Sequence, residues 1–142
     1  MKSFSVIADT REQPTDKSRR RYASMGVPVE RATLDFGDYT WNAVLPDGRP
    51  IYDTENRIQP RITIERKESL DELAQCFTRS RDRFRREFQR AADHQARIFL
   101  IVENASFEKL VNGRYRSRFN PNAFLASVTA YAVRYNMNLL FC

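Results

Sequence analysis

The chain has 142 residues, 42% of them hydrophobic and 30% charged, a balance that suits one soluble domain around one core. Its longest unbroken apolar run, Ile98 to Val102, is far too short to span a bilayer, and Met1-Lys2-Ser3 opens no signal peptide, so an intracellular, cytoplasmic protein is expected. A single histidine, His94, and two cysteines, Cys76 and Cys142, exclude a four-ligand Cys/His zinc site, a disulfide framework and catalysis by several histidines. Any chemistry must rest on carboxylates, lysine, arginine and a hard metal. Twenty of the 24 cations are arginine, the net charge is +6 and the pI is near 9.7. The planar guanidinium suits bidentate phosphate contact, so the surplus points to nucleic acid.

In chain order, Phe4 to Ala8 reads as a short strand. Gln13 to Arg21 is polar and basic with a turn at Pro14, and Arg19 to Met25 fits a helix stopped by Gly26. Val27 to Phe36 reads as a second strand broken by Gly37, and Tyr39 to Leu45 as a third. Pro46-Asp47-Gly48 is a turn signal, and residues 49–60 fit either the return arm of a hairpin or a loop. Arg61 to Lys67 is a strand with Ile62 and Ile64 on one face and Thr63, Glu65 and Lys67 on the other. Ser69-Leu70-Asp71-Glu72 fits a capping box that opens a helix. A further helix is expected from Ser80 to about Gln95, and a buried strand from Ile98 to Val102. Asn120-Pro121 starts a last helix whose Phe124, Val128, Tyr131 and Tyr135 form an apolar stripe. That stripe reads as core, and with Phe141 as a candidate homodimer face. Leu139 to Cys142 ends the chain as a strand. Interleaved strands and helices make the class α/β.

Asp38, Glu65 and Lys67 carry the chemistry. A Glu-x-Lys strand puts a carboxylate and an ammonium side by side, and an Asp from a neighbouring strand completes the site. Two carboxylates suit Mg²⁺ or Mn²⁺, which prefer oxygen ligands and retain waters. Such a metal polarises a phosphate and acidifies a water, and Lys67 is placed to orient that water or stabilise charge. With nine Asp and nine Glu in the chain, this pattern alone is also compatible with an ordinary solvated strand face.

The neighbouring residues add detail. Asp9-Thr10-Arg11-Glu12 follows the first strand, Gly37-Asp38-Tyr39 the second, and Glu65-Arg66-Lys67 is followed after three residues by Asp71. In order and spacing this resembles the nuclease domain of the XPF-type structure-specific endonucleases, with its Asp-x-Arg-Glu, Gly-Asp and Glu-Arg-Lys-x-x-x-Asp motifs. Arg83, Glu103 and the closing Leu-Leu-Phe-Cys agree with it. The resemblance implies a restriction-endonuclease-like fold, in which a central mixed sheet is flanked by helices in one domain over residues 1–142. It implies a metal-dependent DNA endonuclease acting at branched or single-strand/double-strand junction DNA, in repair or recombination. Asp38 and Glu65 would be the principal metal ligands, joined by the backbone carbonyl of Arg66. Asp9 would sit at the metal or just behind it. Lys67 would activate or orient the attacking water. Arg11 and Glu12 would support the site, with Arg11 near the scissile phosphate. Asp71 matches the last acid of the motif and equally fits helix capping. The side chain of Arg66 has no reading beyond pairing with a nearby acid.

Two arginine groups are candidate DNA contacts. Arg79, Arg83, Arg86 and Arg90 recur along one face if the helix reaches back to Arg79, and Arg114, Arg116 and Arg118 cluster with Tyr115 and Phe119 between them. The 26 residues between Asp38 and Glu65 exceed what is usual in the family, which makes 41–60 an inserted hairpin or loop. Relatives usually continue into another helix and helix-hairpin-helix motifs that dimerise and bind duplex. Their absence before Cys142 fits a small bacterial or phage nuclease, acting as a homodimer or with a larger partner protein. A non-catalytic DNA-binding or recruitment module, and a restriction-type duplex endonuclease, are the alternatives.

Overall fold

A computed structural model describes residues 3–53, 55–56 and 58–142. Six strands form one mixed sheet, β1 (Ser3–Asp9), β2 (Val29–Ala32), β3 (Tyr39–Val44), β4 (Ile62–Lys67), β5 (Arg97–Val102) and β6 (Asn138–Phe141), in the spatial order β2-β1-β3-β4-β5-β6. The centre is antiparallel, with β3 between β1 and β4, and parallel pairs flank it on both sides. Among the described residues there are five helices: α1 (Asp16–Ser24), α2 (Leu70–Phe77), α3 (Arg81–Asp93), α4 (Phe107–Val111) and α5 (Pro121–Tyr135). None is long and apolar enough to cross a membrane. The α/β architecture expected from the alternation of elements is the one observed.

Period-two alternation on β4 and β5 gives each strand an inward set. On β5 that set is Ile98, Leu100 and Val102, all fully buried. The face they share is covered by α2, α3 and α5 through Leu73, Phe77, Phe84, Phe88, Phe124, Val128, Tyr131 and Tyr135. The α5 stripe is therefore spent inside this chain's own core, and Tyr131 meets Phe77, Phe84 and Phe88 at ring-centroid distances of 5.1–5.6 Å. On the opposite face, Phe4 stacks on Trp41 at 6.3 Å, and Arg21 of α1 and Met25 just after it share an apolar depression with Val6, Ile62 and Ile64. Trp41 thus lies away from the expected site.

Helix ends follow side-chain chemistry. Thr15 caps α1 by accepting from the Ser18 N–H, which starts the helix at Asp16, earlier than Arg19. Ser69 Oγ accepts from the Glu72 N–H at 3.2 Å as the expected capping box requires, while Glu72 reaches one residue further back, to the Glu68 N–H at 2.6 Å. Asn120 accepts from the Asn122 and Ala123 N–H groups, with Pro121 in the first turn. The five-residue α4, capped by Ser106, has no sequence signal long enough to show a period, yet it buries Leu110 completely.

The strand expected over Val27–Phe36 is only Val29–Ala32. Leu34 and Phe36 are buried but sit in a loop, because the chain must leave the sheet to return as β3. The inserted segment does form a hairpin tip, with Leu45 and Arg49 paired and Val44 bridged to Pro50. Beyond the tip it folds back as a buttress. Tyr52 is buried against Ile7 and Leu34, and Gln59 accepts from the Asp35 N–H at 2.9 Å and donates to the Phe36 carbonyl at 2.8 Å. Thr54 and Arg57, within this segment, lie outside the described residues.

The buttressed loop ends at Gly37, with φ +78°, where a Cβ would stand 2.0 Å from Thr63 Oγ1. Gly37→Ala is expected to cost about 2–5 kcal/mol, from left-handed strain plus an overpacked contact with β4. Urea unfolding of the purified variant measures this; a loss below about 1 kcal/mol would contradict the tight approach.

Candidate active site

The sheet brings the three sequence motifs to one end of its central strands. Asp9 closes β1, Asp38 precedes β3, and Glu65 to Lys67 close β4. The Asp9 N–H donates to the Asp38 carbonyl at 2.8 Å, and the Asp38 N–H donates to the Ile64 carbonyl at 2.7 Å. Asp38 Oδ2 then accepts from the Arg66 N–H at 2.7 Å. Along an extended strand the N–H and C=O of one residue point to the same side. The Arg66 carbonyl therefore faces the side on which Asp38 lies, as its expected role as a ligand requires.

These residues line a pocket of about 400 Å³ with Arg11, Glu12, Glu72, Gln75, Cys76, Arg83 and Glu87. Glu65 is 3% exposed. Its Oε1 accepts from Lys67 Nζ at 2.6 Å, and its Oε2 is buried with no hydrogen-bond partner. Burial and the nearby Asp38 carboxylate push the Glu65 carboxyl up to about 8, with Lys67 opposing. Burial likewise pushes Asp38 up to about 6, against the Arg66 N–H and Lys67. Burial acts to lower the Lys67 ammonium, but Glu65, Cys76 and Asp38 together outweigh it and hold the pKa above the ordinary value. Lys67 also lies over the Phe84 ring at 5.6 Å.

Among the described residues, no three Asp, Glu, His or Cys side chains gather as a metal-binding group on their own. The donor set is a pair of carboxylates. Mg²⁺ is commonly held by one or two carboxylates with waters and substrate phosphates, and an unpartnered buried carboxylate oxygen beside a second carboxylate fits such a cation. Asp9 is otherwise occupied: Oδ2 accepts from Arg11 Nε at 2.5 Å and Oδ1 from the Leu34 N–H at 3.1 Å. It stands behind the pair and orients Arg11.

Each remaining expected residue has a definite place. Glu12 lines the pocket, but its carboxylate is held by Arg21, Tyr22 and Tyr39 at 2.5–2.7 Å, which makes it a brace between α1 and β3. Arg66 turns to the other face of the sheet and forks onto Glu103 at 2.6 and 2.7 Å, the acid partner it was expected to need. Asp71 is not brought to the pocket; its Oδ1 accepts from the Ser117 N–H at 2.7 Å. Arg79 precedes α3, which starts at Arg81, yet it shares a depression with Arg83 and Arg86. Arg83 lines both that depression and the pocket. Arg90 leaves the stripe and donates to the Asp35 carbonyl at 3.1 Å.

Glu87 belongs to none of the sequence motifs. In the fold its Oε1 accepts from the Gly37 N–H at 2.8 Å and it lines the pocket, so it steadies the turn before Asp38. Its position four residues after Arg83 on one helix face is the signal that it shares the pocket wall. Cys76 is also there, but burial pushes its thiol up to about 11, which leaves it unreactive at neutral pH.

Both raised carboxyls bind protons more tightly folded than unfolded. Their stabilising contribution is complete below the ordinary carboxyl pKa values and is lost as pH rises through about 6 and about 8. The metal-free chain is therefore expected to melt at lower temperature as pH is raised from about 5 to about 8, and Glu65→Gln to flatten that slope. Scanning calorimetry in EDTA reads both; a melting temperature that rises over this range would contradict the burial of an uncompensated carboxylate.

The fold is shared with known proteins. The model of the family described as the ERCC4 domain matches residues 8–142. The solved structure of XPF from Aeropyrum pernix is similar with a TM-score of 0.61 and 27% identity, over 96% of this chain and 57% of that one. XPF from Aeropyrum pernix in complex with DNA is similar with a TM-score of 0.59 and 27% identity, over 96% and 55%. The chain thus spans little more than half the length of these solved chains. No curated protein matches it.

Proposed function

The chain belongs to the ERCC4 domain family, and on that premise we propose that it is a Mg²⁺- or Mn²⁺-dependent DNA endonuclease that hydrolyses phosphodiester bonds at branched or single-strand/double-strand junctions. The observation that carries this reading is the buried, unpartnered Oε2 of Glu65, beside Asp38 and two residues from the ammonium of Lys67. A buried carboxylate oxygen left unsatisfied costs stability and is retained where a ligand is to satisfy it. The solved relative in complex with DNA supports the choice of partner.

Asp38, Glu65 and the Arg66 carbonyl would hold the cation, which supplies Lewis acidity toward a phosphate oxygen and a water of lowered pKa. The chain's own residues then have separable tasks. Lys67, held charged by Glu65, offers a fixed donor for the attacking water or for charge developing at the phosphate. Asp9 holds the Arg11 guanidinium at the pocket rim, half exposed, where it meets an incoming phosphate. Arg83 joins the pocket to the depression lined by Arg79 and Arg86, a cationic path for the strand being cut.

Incubation with flap, fork and plain duplex DNA in Mg²⁺ and in Mn²⁺ tests the reading. Junction substrates are expected to be cut, and Glu65→Ala and Lys67→Ala to lose about 100-fold or more in rate. Calorimetric Mn²⁺ binding is expected to vanish in Asp38→Ala. Absence of cleavage in either metal, or cleavage indifferent to these substitutions, would leave a DNA-binding module; equal cutting of long plain duplex would point to a restriction-type enzyme.

A further inference from the structure

The first turn of α2 and the segment after α4 are joined by one hydrogen bond, from the Ser117 N–H to Asp71 Oδ1 at 2.7 Å. Around it, residues 114–119 alternate strictly. Arg114, Arg116 and Arg118 are exposed, while Tyr115, Ser117 and Phe119 are half-buried. The inward residues are anchors. The rings of Tyr115 and Phe119 pack on Phe124 of α5 at 5.4 and 5.2 Å. The Tyr115 hydroxyl donates to the Phe119 carbonyl at 2.7 Å, the Phe119 N–H donates to Ser117 Oγ at 3.1 Å, and the Arg114 N–H is held by the Lys109 carbonyl at 2.8 Å. Arg114 pairs with Glu108 at 3.3 Å; Arg116 and Arg118 make no ion pair among the described residues.

Anchors of this kind hold the exposed side chains of an irregular segment in a fixed order, as a rigid scaffold positions binding groups carried on a loop. Three guanidiniums in sequence on a braced loop form a comb for consecutive phosphates, with the cost of ordering met before DNA arrives. The brace comes from the same helix that supplies Glu72, Gln75 and Cys76 to the pocket wall, so it ties the comb to the site. Asp71 makes no contact with the pocket.

We propose that Asp71 is a positioning residue, the latch that holds the Arg114–Arg118 comb in register with the active site, and that its carboxylate takes no part in metal binding or water activation. The comb rests on the reading of the chain as a DNA-acting protein and adds to it the surface that grips the phosphate backbone beside the pocket. Only the acceptor oxygen matters for the latch, so asparagine in that place retains most of its action.

The test uses the full chain, a labelled forked DNA and fluorescence anisotropy in EDTA over a range of salt, with Mn²⁺ affinity measured separately by calorimetry. Asp71→Ala is expected to weaken DNA binding about five-fold or more, the effect of losing one charge-assisted hydrogen bond, with Mn²⁺ affinity unchanged. Asp71→Asn is expected to recover most of the binding. Arg116→Ala/Arg118→Ala is expected to weaken binding and reduce the salt slope by about 2, since each phosphate contact contributes about 0.9. These two side chains are exposed, so this variant tests the comb even if Asp71→Ala fails to fold. Loss of Mn²⁺ affinity in Asp71→Ala, failure of Asp71→Asn to recover binding, or parent-like affinity in the double arginine variant would each overturn the proposal. A parent chain that binds DNA but cuts none would sink the endonuclease reading and leave these results standing.

Discussion

Asp38 is bonded to β4 through both its backbone and its side chain, and the rest of the site depends on that double attachment. Its N–H donates to Ile64 and its carboxylate accepts from Arg66. Between them these bonds set the register of β3 on β4 and aim the carboxylate at the position opposite Glu65. Close approach is what makes this possible. Gly37 lies against Thr63 with no room for a Cβ, Glu87 holds its N–H from α3, and Gln59 holds the two residues before it. Three separate elements thus converge on one turn. A short side chain such as Asp reaches a fixed point only if its backbone is fixed, and here the backbone is over-determined.

The consequence is a local electrostatic arrangement that by itself disfavours the folded state. Two carboxylates share a buried corner with one ammonium, and Glu65 Oε2 has nothing to accept from. The core behind them is conventional by contrast: nested aromatic rings from α2, α3 and α5 against an aliphatic sheet face. Locating the unfavourable group at the rim of a well-packed core lets the core's burial offset it, a common division between stability and function.

Arginine is distributed by the same logic. Arg66 and Arg21 are paired inside braces, on Glu103 and Glu12, and help hold the strand ends together. Arg11 and Arg83 sit at the pocket, and Arg116 and Arg118 face solvent on an anchored loop. A count of cations treats these alike. In the fold some are structural partners and others are surface charge, and only the second kind is available to phosphates.

Much of this was legible in the sequence because it depends on short-range chemistry. The strand alternation that puts Glu65 and Lys67 on one face, the Ser69 and Asn120 caps, and the buried run Ile98–Val102 follow from periods and capping groups within a few residues. The motif spacing also named Asp9, Asp38 and Glu65, which the fold brings to one pocket. Contacts between distant segments were not legible. That Asp71 answers to Ser117, that Glu87 holds Gly37, that Tyr52 and Gln59 buttress the loop before Asp38, and that Arg90 is bonded to the Asp35 carbonyl all depend on where elements meet after packing. The opening composition, one histidine and twenty arginines in 142 residues, by itself excluded a four-ligand Cys/His zinc site and catalysis by several histidines and left a surplus of cations. Only the tertiary structure decided that Glu65 keeps one oxygen without a partner and that Arg116 and Arg118 face solvent, because pairing is settled by burial and distance across the fold and leaves no local pattern in the chain.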